Sequence, residues 1–381
     1  MLTKKIAKNC FTQIATAPFC SLRNTLVTLA KNYNFFKSTL SQHAPITLYM
    51  KLKLSLLWCA MIALMASAQE YDASFNTLQL PVSSHTAALG GQNVSLIEDA
   101  PAAGWSNPAL YANVSDLSLG LNFMTYAASS KWMGAHFVHA LGDRHTLALG
   151  AQMMNFGKMD ETDESGNVVG EVSAKDFVIG VGYSYLLSDR WSGGANLKYI
   201  VSNLAGYSAM SFAVDVGLNY YNDEQDLSVS ATLQNMGAQL KAYDERRHLK
   251  TPFALNVGFS KGLDHLPIRF HVTMTDVTRW KSSYYVLPED KDNQKSDKVS
   301  FGKIALNHFV VGLDILPTDY LYISLGYNFR RAYELKAAGS SHWAGISAGA
   351  GFNIKRFNFG VSYAKYHHAG NSFTANVGYK I

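Results

Sequence analysis

The sequence predicts an all-β chain: a 14-stranded antiparallel transmembrane β-barrel with an N-terminal segment that can act as a hatch or plug. Three observations predict it. Only 16% of the 381 residues are charged, while 48% are hydrophobic and 12% aromatic. A soluble domain has about 25% charged residues, so much of this surface faces something other than water. From Asp116 onward, apolar residues recur at every second position, the period of a strand whose two faces meet different surroundings. Most of the alternating stretches run to 10 to 14 residues. That is about twice a soluble strand and enough to cross a bilayer at a tilt.

The first 68 residues stand apart. They hold eight of the 33 Lys and Arg and none of the 28 acidic residues, so the net +5 of the chain becomes 25 basic against 28 acidic, about −3, downstream. Within them, Met50-Lys51-Leu52-Lys53, an apolar run over 54–65 and Ala66-Ser67-Ala68 before Gln69 have the parts of a secretory signal peptide. Residues 50–68 are read as that signal, and residues 1–49 as an upstream extension with Met50 the true start. The longest apolar stretch, 54–68, is interrupted by two serines and falls short of the roughly 20 residues of a spanning helix. Cys10, Cys20 and Cys59 all precede the cleavage point, which leaves residues 69–381 without a thiol for a disulfide or a nucleophile.

Residues 69–115 alternate poorly and are rich in Ala, Ser, Gly and Asn, with Gly90-Gly91 and Asn107-Pro108 as turn signals. They are read as a hatch or plug, and residues 116–381 as the barrel. Strands are expected near 116–126, 131–140, 145–155, 174–187, 191–203, 208–221, 227–235, 251–262, 266–277, 302–315, 319–330, 342–354, 356–368 and 371–381. Leu117, Leu119, Leu121 and Phe123 begin the apolar face, and Phe373, Ala375, Val377, Tyr379 and Ile381 end it. The opposite face is small and polar, with Gly180, Gly182, Asn196, Lys198, Asp215, Asn256, Gly258, His271, Gly349 and Gly351. No helical period follows residue 116, so lipid rather than a second protein layer must cover the apolar face. Short connections (141–144, 188–190, 222–226, 263–265, 316–318, Lys355) alternate with long ones (156–173, 236–250, 278–301, 331–341). This matches the periplasmic turns and outer loops of outer-membrane barrels and puts both termini of the mature chain in the periplasm.

Ser84-His85-Thr86-Ala87-Ala88-Leu89-Gly90-Gly91, then Ile97-Glu98-Asp99-Ala100, then Trp105-Ser106-Asn107-Pro108-Ala109 resemble the N-terminal hatch of the FadL-type outer-membrane barrels over about 69–381. Leu80-Pro81-Val82-Ser83 leading into the same stretch is similar to the PorQ family, as are Leu325-Gly326-Tyr327-Asn328-Phe329-Arg330-Arg331, Gly345-Ile346-Ser347-Ala348-Gly349-Ala350-Gly351-Phe352 and Phe359-Gly360-Val361-Ser362-Tyr363-Ala364. The PorQ resemblance implies a component of the type IX secretion system of Bacteroidetes that attaches cargo at the cell surface. It also implies partners: the surface proteins PorZ, PorU and PorV, and anionic lipopolysaccharide.

Catalytic, metal and cofactor sites are not expected. Ser362-Tyr363-Ala364-Lys365 has the S-x-x-K spacing of a serine nucleophile and lysine base, but on a strand positions three apart point to opposite faces. His136 with His139, and His367 with His368, diverge for the same reason. Basic residues do not cluster with aromatics, so no nucleic-acid surface is expected. Two functions are weighed. The leading expectation is a surface scaffold in outer-membrane lipid, with Arg246, Arg247, Glu289, Asp290, Lys291, Asp292 and Lys295 in its partner-docking loops. The alternative is a FadL-type channel for long-chain fatty acids or other hydrophobic compounds, with Asn107, Pro108 and Ala109 on the path that opens.

Overall fold

The computed structural model describes residues 75–127, 130–163, 165–243, 250–280, 300–337, 345–367 and 370–381. All lie in the unit 68–381. The expected extension 1–49, the signal 50–68 and the loop residues Arg246, Arg247, Glu289, Asp290, Lys291, Asp292 and Lys295 lie outside the described residues.

Alternation builds fourteen antiparallel strands: β1 (Ser118–Thr125), β2 (Lys131–Leu141), β3 (His145–Thr162), β4 (Val168–Leu186), β5 (Trp191–Leu204), β6 (Tyr207–Asn222), β7 (Leu227–Lys241), β8 (Ala254–Leu263), β9 (Leu266–Met274), β10 (Phe309–Thr318), β11 (Leu321–Asn328), β12 (Ile346–Ile354), β13 (Phe357–His367) and β14 (Gly370–Lys380). Each pairs with its sequence neighbours, and β1 closes on β14 from Ser118↔Lys380 to Met124↔Thr374. Closure matters because lipid offers no partner for an open strand edge. Leu119, Leu121, Phe123, Leu149, Phe177, Ile179, Val181, Leu197, Leu325 and Val377 are exposed on the outer face, while their neighbours in sequence Ser118, Asn122, Asn196 and Lys198 are buried. Among the described residues no helix is long and apolar enough to cross a membrane.

The connections sort by end. At one end they are 142–144, 187–190, 223–226, 264–265, 319–320 and 355–356; the three longest, 242–253, 275–308 and 329–345, share the other. Ile381 belongs to the short-turn end, where its amide bonds to the Leu117 carbonyl at 3.1 Å.

Three sequence expectations need correction. Residues 156–173, read as a loop, are largely a two-stranded ribbon in which β3 and β4 go on pairing from Lys158↔Ser173 to Thr162↔Val168; Lys158, Met159, Asp160, Glu161 and Glu171 are all exposed, so this is strand standing in water, not loop. The strand expected over 302–315 begins with a helix, α3 (Phe301–Asn307), and pairs only from Phe309. The strand expected to reach 330 stops at Asn328, whose side chain accepts from the Arg331 amide at 2.9 Å and starts a helix, α4 (Phe329–Ala337). An Arg330 to Glu334 bond of 2.7 Å one turn apart supports it. Helical structure therefore does occur downstream of residue 116, confined to the long connections.

Residues 75–115 pass through the lumen. They carry two short helices, α1 (Ser84–Ala88) and α2 (Ala103–Ser106), and two 3-10 turns, over Asn76–Gln79 and Pro108–Asn113. Ser83 caps α1 by accepting from the Thr86 amide at 3.1 Å, and Asn107 caps the 3-10 turn with Pro108 following it. This inner segment meets wall on many sides. Ser347 of β12 donates to the Ala88 carbonyl at 2.7 Å, Asn328 of β11 to Gly90 at 3.1 Å, Asn196 of β5 to Gly104 at 3.1 Å and Gln234 of β7 to Ser106 at 2.5 Å. Small wall residues make the approach possible. A Cβ on Gly326 would stand 2.2 Å from the Gly90 amide nitrogen, and Gly90 itself needs a φ of +98°.

Candidate functional site

Asn107, Pro108 and Ala109 sit deep in the lumen against β5 and β6. Asn107 is fully buried; its Nδ2 donates to the Val94 carbonyl at 2.7 Å and its Oδ1 accepts from the Ala109 amide at 3.1 Å. It therefore ties two stretches of the inner segment together. A Cβ on Gly217 would stand 2.0 Å from Asn107 Oδ1, so the turn and the bare β6 backbone occupy adjoining space. Beside it, Trp105 meets the His136 ring edge-on at 5.3 Å, and Lys198 Nζ lies 5.0 Å from the indole. Lys198 pairs with Asp215 at 2.6 Å, both buried, and the Asn235 amide donates to Asp215 at 2.7 Å.

A second cluster pins α1 to the wall. His85 Nδ1 lies 2.9 Å from Glu98 Oε2, and Nε2 lies 3.1 Å from both carboxylate oxygens of Asp314 on β10. Carboxylate oxygens only accept, so both ring nitrogens donate and the ring is the imidazolium. It stacks on Tyr322 of β11 with centroids 4.0 Å apart. Burial alone would lower the His85 pKa, but the charge and hydrogen bonds of Asp314 and Glu98 prevail and hold it up at about 10. Asp314 also accepts from Ser324 at 2.5 Å and from His271 Nε2 at 2.9 Å. His271 Nδ1 in turn accepts from Ser260, 2.8 Å away, whose hydroxyl lies 2.7 Å from Ser95 of the inner segment. The network thus leaves the inner segment at His85 and rejoins it at Ser95.

Toward the long-connection end the inner wall changes character. Met124, Trp132, Met154, Val178, Ile200, Ala209 and Ala213, from β1 to β6, form one buried apolar cluster with Phe75, Val82, Ala102 and Trp105 of the inner segment. Leu78, Leu80, Tyr126, Phe156, Tyr243 and Tyr366 pack against it. The inward face is therefore not uniformly small and polar, which corrects the sequence expectation. A signal was present: Met153-Met154, Phe177-Val178 and Tyr199-Ile200 are adjacent apolar pairs, so both faces are apolar at that level. The network around His85 had no such signal, because Asp314 lies far away in the chain.

Between the inner segment and β5, β7 and β8 lies a cavity of about 50 Å³ with a mixed lining, Leu78, Leu80 and Trp105 on one part and Lys198, Gln234 and Asn256 on another. Larger hollows of about 450 and 510 Å³ lie over Ala135 and Ala151, among Leu119, Phe137, Leu149 and Met153 of the outer face, where lipid tails would fill them.

No protein-family model and no curated protein matches the sequence. Solved structures do. The toluene transporter TodX of Pseudomonas putida is 13% identical with a TM-score of 0.50, over 79% of this chain and 98% of that one. A TodX deltaS2S3 mutant, a monoaromatic hydrocarbon channel, is 12% identical with a TM-score of 0.52, over 80% and 99%. A Pseudomonas aeruginosa FadL homologue is 11% identical with a TM-score of 0.46, over 78% and 98%. The fold is that of the FadL-like outer-membrane barrels.

Proposed function

We propose that the chain is an outer-membrane channel for small hydrophobic compounds, closed by its own inner segment, which serves as the hatch. The observation that carries this reading is the apolar, aromatic stretch of inner wall at the long-connection end, filled by Phe75, Leu78, Leu80 and Val82. A hydrophobic compound arriving there would compete for the same surface, and at about 25 cal/mol per Å² of apolar area the exchange is nearly balanced. The shared fold with a toluene transporter supports it. In this reading the long connections face outward, both termini of the mature chain belong to the periplasm, and Asn107, Pro108 and Ala109 move when the path opens. The test is uptake of labelled toluene and labelled oleate by vesicles containing the purified barrel. Uptake that stops when the inner segment is tethered to the wall supports the reading; vesicles no faster than empty ones reject it.

The polar packing of the rest of the lumen favours a second reading, a non-enzymatic scaffold of the type IX secretion system. The residues that resemble the PorQ family support it, and its docking loops would hold Arg246, Arg247, Glu289, Asp290, Lys291, Asp292 and Lys295. PorZ, PorU, PorV and anionic lipopolysaccharide are its candidate partners. Crosslinking on intact cells before and after deletion of 283–297 tests it: a surface protein captured only by the intact loop supports the scaffold, and an unchanged capture pattern rejects the loop as the docking surface.

A further inference from the structure

We propose that the His85 to Asp314 contact is a latch that holds the inner segment against the wall, so that removing the Asp314 charge frees the segment from the lumen. The contacts described above that join this segment to β5, β7, β11 and β12 are neutral hydrogen bonds, each contributing about 0.5–1.5 kcal/mol net, whereas bonds between charged groups contribute about 1.5–3. Asp99 also pairs with Lys380 of β14, but both are about a third exposed, and Thr77 gives the Asp176 carboxylate of β4 a neutral donor. His85 with Asp314 is the buried ionic tie, whose loss strands a charge away from water. Without Asp314 the imidazolium of His85 keeps one hydrogen-bond partner, Glu98, which moves with the same segment, and its hold on the wall falls to the stacking on Tyr322.

The groups facing His85 set the polarity of the device. Glu98 comes from the inner segment, Asp314 from β10 and Tyr322 from β11, with His271 of β9 reaching it through Asp314. The strands on the far side of α1 offer it neutral polar groups: Ser347 of β12 bonds to Ala88, and Asn376 of β14 bonds to Ser84. The cluster therefore holds one histidine cation between two carboxylates, and its hold on the wall depends on Asp314 carrying its charge. The same network supplies a substitute tie, because Ser95 and Ser260 bring the segment and β8 together with hydroxyls 2.7 Å apart. A disulfide can form there in a barrel that has no cysteine downstream of residue 68.

The experiment uses the full chain purified from outer membranes, with chymotrypsin as the probe at about pH 8. Trp105 and Tyr111 are buried in the lumen and are cleaved only when the segment leaves it. Asp314→Asn is expected to raise cleavage there about 10- to 100-fold, the range for losing a charged hydrogen bond. Oxidised Ser95→Cys/Ser260→Cys added to Asp314→Asn returns cleavage to the wild-type rate, and reductant releases it again. Unchanged cleavage in Asp314→Asn, with the barrel closed by its heat-shifted gel mobility, overturns the latch, as does acceleration that the disulfide fails to reverse. If Asp314→Asn yields no closed barrel, His85→Gln is read by the same assay against the same outcomes. The latch does not rest on the channel reading: cleavage reports release, uptake reports transport, and release without uptake leaves the latch standing while removing the channel.

Discussion

At the scale of single residues, what holds the lumen together is a few side chains with two partners each. Asn107 is one, and Asn107→Ala loses both the cap of the 3-10 turn and the bond to Val94. The expected cost is about 1–2 kcal/mol, read from urea unfolding of vesicle-bound protein. Lys198 is another: Lys198→Met strands the buried Asp215 carboxylate and should destabilise by about 3–5 kcal/mol, while Lys198→Met with Asp215→Asn recovers most of it. His85 gives a pH dependence with a definite sign. Its folded value, about 10, lies above the ordinary 6.5, so its contribution is complete below about 6.5 and is lost as pH rises through about 10. Urea resistance followed by tryptophan fluorescence should fall across that upper range, and Asp314→Asn should flatten the fall. Asn107 was legible in the sequence because Asn-Pro is a local turn signal. The partner of His85 was not, since a buried ion pair between residues 85 and 314 leaves no periodic trace along the chain.

At the scale of elements, the strands were legible and their ends toward the long connections were not. Inside the membrane, alternation is enforced by lipid on one face and a packed lumen on the other, so Leu119, Leu121 and Phe123 declare β1 directly. Beyond the membrane that constraint ends, and the same chain is free to continue as ribbon, as β3 and β4 do, or to turn into helix, as at Phe329. Among the described residues the ribbon has no ladder partner on either side beyond Asn155 and Ala174, its one backbone bond outward being from the Ala205 amide to the Ser173 carbonyl at 3.1 Å. Asp160 faces Glu171 directly across the ribbon, a like-charge pair that weakens it. Replacing residues 158–172 with a two-residue Asn-Gly turn should therefore leave the yield of closed barrel, judged by heat-shifted gel mobility, unchanged. A large loss of closed barrel would mean that the ribbon helps build the wall.

At the scale of the whole molecule, the low charge content has a place: it is the price of an outer wall in contact with lipid. Leu149, 58% exposed near the middle of the paired part of β3, is a fair probe. Leu149→Arg should cost about 2–4 kcal/mol in vesicle unfolding, whereas Tyr207→Arg at the rim should cost about 0–1. The closed sheet has a single seam, where the first strand meets the last, and the inner segment lies along it. Pro101 rests against Gly120 of β1, while Ser84 bonds to Asn376 and Asp99 to Lys380, both of β14. The segment is thus a splint across the one joint whose two sides lie at opposite ends of the barrel's sequence. A barrel emptied of residues 75–115 is expected to part there first, so the peptide that obstructs the passage also completes the wall.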